Sequence, residues 1–86
     1  MEFEFDIIKS RANQLKHGID FYKAQARWED RNYIELPART QGEPRWLIIG
    51  RINQVHHSAV ITYRDGRIRL ISVRRARKGE VDIYED

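Results

Sequence analysis

The sequence predicts an α+β fold: a small antiparallel sheet with two N-terminal helices packed on one face and a short C-terminal helix. Three observations lead there. Apolar residues recur at helical spacing up to residue 29, the pattern then changes to short β-rich runs broken by Pro and Gly, and 86 residues suffice for one core rather than two. Residues 1–86 are accordingly read as a single domain.

Phe3 and Phe5 alternate with Glu2 and Glu4, the period-2 signature of a short half-buried strand. Asp6 suits a helix N-cap, because its carboxylate accepts from the free N–H groups of a first turn. Ile8, Ala12 and Leu15 fall at i, i+4 and i+7, so this helix is expected to bury that face and to run to Lys16-His17, closed by Gly18. Asp20 caps a second helix that ends near Glu29, with Phe21, Ala24 and Trp28 on one face. Strands are expected over 33–36, 45–52, 58–63 and 67–73, with His56-His57 in a turn and Asp65-Gly66 closing a tight hairpin. Pro37 and Gly42-Glu43-Pro44 mark the first turn of this meander, and residues 76–86 carry a weak helical pattern. Phe21, Trp28 and Trp46 are assigned to the core, for which a small domain needs their area. With helices early and strands late, one sheet face is covered and the other is left to solvent or ligand.

The net charge of +3 conceals an asymmetry. Between Arg45 and Lys78 nine basic residues stand against one acidic residue, Asp65, a local charge of +8, while the remainder carries −5. The first stretch suits phosphates and the second repels them. The chain has no cysteine, which excludes disulfides and Cys-based zinc sites, and His56-His57 lacks neighbouring carboxylates, so no metal or other cofactor is expected. No apolar run approaches the ~18 residues that span a bilayer, and the acidic start is unlike a signal peptide. A cytoplasmic protein without membrane association is expected.

Phe3-x-Phe5-Asp6, Lys9, Asn13 and Lys16-His17-Gly18-Ile19-Asp20-Phe21 resemble the opening of the BrnT family of type II toxins. The later residues agree: Arg45 leading to Ile49-Gly50, the run Arg69-Leu70-Ile71-Ser72-Val73-Arg74, Ala76, Glu80 and Tyr84. The resemblance spans nearly the whole chain. It implies a RelE-like toxin fold, RNA cleavage that arrests translation, and neutralisation by a ribbon-helix-helix antitoxin (BrnA-like) in a toxin–antitoxin hetero-oligomer. Two positions depart from the family pattern: Phe5 stands where a tryptophan is frequent, and Gly79 loosens the run before Glu80.

RNA can be cut without a metal when its own 2′-OH attacks the adjacent phosphate, given a proton acceptor, cations facing the developing charge and a donor for the leaving oxygen. Lys16, His17, Arg69, Arg74 and Glu80 are the catalytic candidates. His17 is an acid or base suited to neutral pH, the two arginines can each fork onto phosphate oxygens, and Glu80 is a candidate general base. Arg45, Arg51, Arg67, Arg75 and Tyr84 are the candidate RNA contacts. Arg69 and Arg74 are an odd number of residues apart and face opposite sides of a regular strand, so only a bulge or a sheet edge unites them. A competing reading makes Lys16 and His17 helix-end cations and the arginines solvated edge charges. The alternative function is a non-catalytic RNA- or ribosome-binding module. A DNA-binding regulator ranks last, since no basic recognition helix is present. The enzyme reading requires the guanidinium groups of the second half to gather on one patch, free of the carboxylates of the first.

Overall fold

The computed structural model describes residues 2–39 and 42–86. Strand β1 (Phe3–Glu4) leads into α1 (Ile7–His17) and α2 (Phe21–Ala24), which tightens into a 3-10 turn over Gln25–Glu29. Four strands follow, β2 (Ile34–Ala38), β3 (Arg45–Ile52), β4 (Val55–Arg64) and β5 (Arg67–Arg75), and then α3 (Lys78–Glu85). The five strands form one sheet in the order β1-β5-β4-β3-β2.

The sheet is mixed, not purely antiparallel as expected. β2 to β5 form an antiparallel meander, but β1 lies parallel to β5, pairing Phe3 with Ile68 and Glu4 with Arg69. A parallel pair needs a long crossover, and everything between β1 and β5 supplies it.

The local signals act as expected. Asp6 accepts from the N–H groups of Ile8 at 2.8 Å and Lys9 at 3.4 Å, Gly18 closes α1 at φ 76°, and Asp20 accepts from Lys23 at 2.8 Å. Asp65-Gly66, at φ 52° and 76°, turns β4 into β5. A second two-residue turn, Asn53-Gln54 at φ 51° and 70°, joins β3 to β4. It starts β4 at Val55 and so moves His56 and His57 out of the expected turn and into the strand.

Phe21, Ala24, Ile48, Ala59, Ile61, Leu70 and Val73 form the buried core, with Trp28 and Trp46 packed against it. α1 does not bury the face its apolar spacing suggested. Ile8 and Leu15 are exposed, at 71% and 89%, while Ser10 and Asn13 are buried. Hydrogen bonds explain the inversion. β1 covers only the start of β5, and Asn13 serves the open edge beyond it: Nδ2 donates to the Val73 and Ile19 carbonyls at 2.8 Å, and Oδ1 accepts from the Val73 N–H at 3.2 Å. The Ser10 hydroxyl accepts from Phe21 N–H at 2.9 Å. A buried backbone edge demands polar partners, and this demand outweighs the apolar stripe.

Candidate active site

A bulge in β5 decides which arginines meet. Ile61 pairs with Leu70 and Val60 with Ser72, so Ile71 is the extra residue and the alternation of β5 shifts by one across it. Arg69 opposite Thr62 and Arg74 opposite Ser58 therefore project from the same face, the face away from the helical core. At about 3.3 Å per residue they are roughly 15 Å apart, too far to grip one phosphate together.

α3 lies across this face. Its first turn is fixed by Glu80, whose side chain accepts from the Arg77 N–H at 2.9 Å in the manner of a capping box. The same carboxylate meets Arg74 end-on, Nη1 to Oε1 at 2.7 Å and Nη2 to Oε2 at 2.8 Å, and accepts from the Ser58 hydroxyl at 2.8 Å. Arg74 above all, with the Arg77 N–H and Ser58, brings the Glu80 carboxyl down to about 2 against the opposing effect of burial. Glu80 raises the Arg74 pKa in return. A carboxylate held this way is a poor proton acceptor and a firm support. Arg74 Nη1 also donates to the Arg75 carbonyl at 3.2 Å, and among the described residues Nε and the second Nη2 proton have no hydrogen-bond partner.

The far end of α3 is tied by Asp30, a residue the sequence did not single out. Its carboxylate accepts from the Tyr84 hydroxyl at 2.6 Å and from the N–H groups of Arg51 at 2.8 Å and Asn32 at 2.9 Å. Burial pushes the Asp30 pKa up, but these donors prevail and hold it below its ordinary value. The Tyr84 hydroxyl is correspondingly raised to about 12, by its own desolvation first and by Asp30 second. The Tyr84 ring is also met edge-on by His56, which reaches Glu85 at 3.2 Å. Tyr84 is thus occupied as an anchor of α3. Beside it, Arg51, Asp30, Asn53 and Gln54 line an open cleft of about 380 Å³.

The remaining candidates are distributed less favourably. Arg69 reaches Glu4 at 3.5 Å and Arg67 reaches Glu2 at 3.2 Å, both carboxylates from the first half of the chain, while Arg64 pairs with Glu43 at 3.1 Å. The gathering of free guanidinium groups on one patch is therefore only partial. Arg45 and Arg51 carry no side-chain ion pair among the described residues, and Arg45 Nε is enclosed without a hydrogen-bond partner. Arg75, opposite His57, takes the helix-side face instead. His57 itself is held below its ordinary pKa by burial and then by the charge of Arg27, which favours the neutral ring.

Lys16 and His17 occupy the last, exposed turn of α1, one turn beyond Asn13. Asn13 bonds Val73, two residues before Arg75 at the end of β5. No hydrogen bond or ion pair joins either residue to Arg74 or Glu80 among the described residues. Ser58 and Asp30 gave no recognisable signal in the sequence, although Asp30-Arg31-Asn32 does carry the composition of a turn. Among the described residues no three His, Asp or Glu side chains are grouped as metal ligands.

A family model described as ribonuclease toxin, BrnT, of type II toxin-antitoxin system matches residues 5–80. The chain belongs to this family. The match begins just after β1 and takes in α1, all of the meander and the Arg74–Glu80 pair, so the resemblance read from the residues holds. The toxin is thereby a ribonuclease of a type II toxin–antitoxin system, with RNA as substrate and an antitoxin as partner. A search of the curated proteins found no match. No helix among the described residues is long and apolar enough to cross a membrane.

Proposed function

We propose that this toxin cuts RNA without a metal, on the sheet face that presents Arg69 and Arg74, and that cleavage arrests translation. The carrying observation is the Nε–Nη2 edge of Arg74, without a hydrogen-bond partner of its own among the described residues and backed by Glu80 and Ser58. A guanidinium pinned at one end loses little freedom when its other edge takes two phosphate oxygens. In the reaction the ribose 2′-OH gives up its proton, its oxygen bonds to phosphorus, the P–O5′ bond breaks and the 5′ oxygen is protonated. Arg74 faces the charge that builds on the phosphate, and Arg45, Arg51, Arg67 and Arg69 steer the strand, while Arg75, on the opposite face, takes no part. His17, with Lys16 beside it, supplies the proton transfers once RNA bridges α1 and β5. Glu80 acts as a positioning residue for Arg74, and Tyr84 holds α3.

The same reading takes the chain as one RelE-like domain in the cytoplasm, neutralised by a ribbon-helix-helix antitoxin in a hetero-oligomer. The test is RNA cleavage in excess EDTA with analysis of the ends. Fragments ending in a 2′,3′-cyclic phosphate, and none from a substrate lacking the 2′-OH, are expected. Arg74→Ala should retain RNA binding within several-fold while cleavage falls on the order of 10²-fold or more, the scale of losing one charge-stabilising donor. Loss of cutting in EDTA would overturn metal independence, and tight binding with no cutting under any condition would favour the non-catalytic alternative.

A further inference from the structure

The outer face of α1 is the least expected surface of the molecule. On a helix of 100° per residue, Ile8, Ala12 and Leu15 point directly opposite Ser10 and Asn13, the two side chains that bind α1 to the body. Ile8 and Leu15 are 71% and 89% exposed, and Ile7 and Tyr22 extend the apolar surface at 43% and 61%. Ile7, Leu15 and Tyr22 border a groove of about 500 Å³ between α1 and the start of α2, and Leu15 joins it to the Ile8-Ala12 side of the stripe. Scattered exposed apolar residues are ordinary, whereas a continuous stripe on one helix marks an interaction surface.

Charge identifies the occupant. Arg11 flanks the stripe on one side, Lys9 and Lys16 on the other, and none of the three has a carboxylate partner among the described residues. A second copy docked stripe to stripe would oppose these cations to themselves, an arrangement that costs affinity. A complementary partner is an amphipathic helix with apolar residues at spacings of three and four and carboxylates along both margins. Resting on the toxin–antitoxin reading, we propose that the stripe Ile8-Ala12-Leu15 is a docking site for such an acid-edged helical segment of the antitoxin. Because the stripe faces away from the sheet, this contact anchors the antitoxin without itself covering Arg74, and other antitoxin segments remain free to reach the RNA face.

The experiment is calorimetric titration of the full toxin with the antitoxin encoded beside it, comparing wild type, the Ile8→Gln/Leu15→Gln double variant, Arg11→Glu and Arg11→Lys, each checked for its fold by circular dichroism. The double variant and Arg11→Glu should bind at least about tenfold more weakly, the loss usual for central interface contacts, and Arg11→Lys should stay near wild type. RNA cleavage by the double variant alone should be unchanged. Equal affinity for all four proteins overturns the proposal, as does no binding to wild type, or wild-type self-association that the same substitutions abolish. Because binding is read directly, a toxin that loses antitoxin affinity as described yet cuts no RNA sinks the catalytic reading and leaves the docking site standing.

Discussion

Arg69 and Arg74 project from one sheet face because the Ile71 bulge cancels their odd separation, and each is met there by a glutamate of different grip. Arg74 is bound to Glu80 through two short bonds, at 2.7 and 2.8 Å, with Ser58 in support. Arg69 has one looser contact with Glu4, at 3.5 Å. The first pair is a fixed element of the site. The second is a weak contact, since a partly exposed ion pair holds by only about 0–1 kcal/mol, and on the proposed reading RNA phosphate displaces it.

Removing the Glu4 charge should therefore strengthen RNA binding. Glu4→Gln frees Arg69 for phosphate, and each added phosphate contact releases condensed counterion. The expected outcome is a tighter Kd at low salt and a log K against log[salt] slope steeper by about 0.7, the single-strand value per contact. An unchanged slope would mean that Arg69 lies outside the RNA path.

Glu80 makes stability depend on acid. Its carboxyl lies at about 2 in the folded chain against an ordinary 4.5, so the unfolded chain takes up the proton first as pH falls. The contribution is complete above the ordinary value and is lost as pH drops toward about 2. Solvent screening of the partly exposed pair keeps the contribution below the full value of that shift. Urea unfolding of wild type and Glu80→Gln at pH 7 and pH 2.5 should show a large gap that narrows sharply at the lower pH. A gap independent of pH would show that packing of α3, and not the Arg74–Glu80 charge pair, is responsible.

How much of this was legible depended on the range of the interaction. Asp6, Gly18, Asp20 and Asp65-Gly66 each act on backbone within a few residues, and each could be read in place. The Asn53-Gln54 turn escaped because Gln54 at φ 70° is an unusual choice where a glycine would announce itself. The Ile71 bulge carries no glycine either, and it alone decides whether Arg69 and Arg74 cooperate. α1 was misread for a clearer reason: periodicity assumes that the buried face is the apolar one. Here the unpaired edge of β5 claimed Asn13 and the Phe21 N–H claimed Ser10, and nothing local encodes those needs.

Arg27 is fully buried with Nε and both Nη atoms lacking hydrogen-bond partners among the described residues, its guanidinium lies 5.8 Å from the Trp28 ring centroid, and burial lowers its pKa to about 10. Its stem fills the space that a side chain at Gly50 would take: a Cβ there would lie 2.5 Å from Arg27 Cγ. Gly50→Ala should destabilise by about 1–3 kcal/mol, as overpacking does, and the cost should shrink in an Arg27→Ala background, a coupling that a double-mutant cycle in urea detects. Arg27→Met keeps the volume and removes a buried charge that has only the Trp28 ring face to meet it, so it should be neutral or stabilising by about 1–4 kcal/mol. Strong destabilisation by Arg27→Met would show that the guanidinium is satisfied by enclosed water.

Asn13 stands in for a missing stretch of strand. Its carboxamide offers Val73 both a donor and an acceptor, as a neighbouring peptide group would, and holds the Ile19 carbonyl as well. Asn13→Leu leaves one N–H and two carbonyls of buried backbone without partners, at about 1–3 kcal/mol each before relaxation. Asn13→Asp keeps the shape and the acceptor but loses the donor and adds a buried charge, so it should be at least as damaging at pH 7 and should recover in part as acid protonates it. Chemical unfolding gives the first comparison, and amide exchange at Val73 gives the second, because that N–H should lose protection in Asn13→Leu and keep an acceptor in Asn13→Asp. If Asn13→Leu instead proved harmless, burial of a larger apolar side chain would be sufficient to seat α1, and the polar edge of β5 would not be the reason for the helix's inverted face.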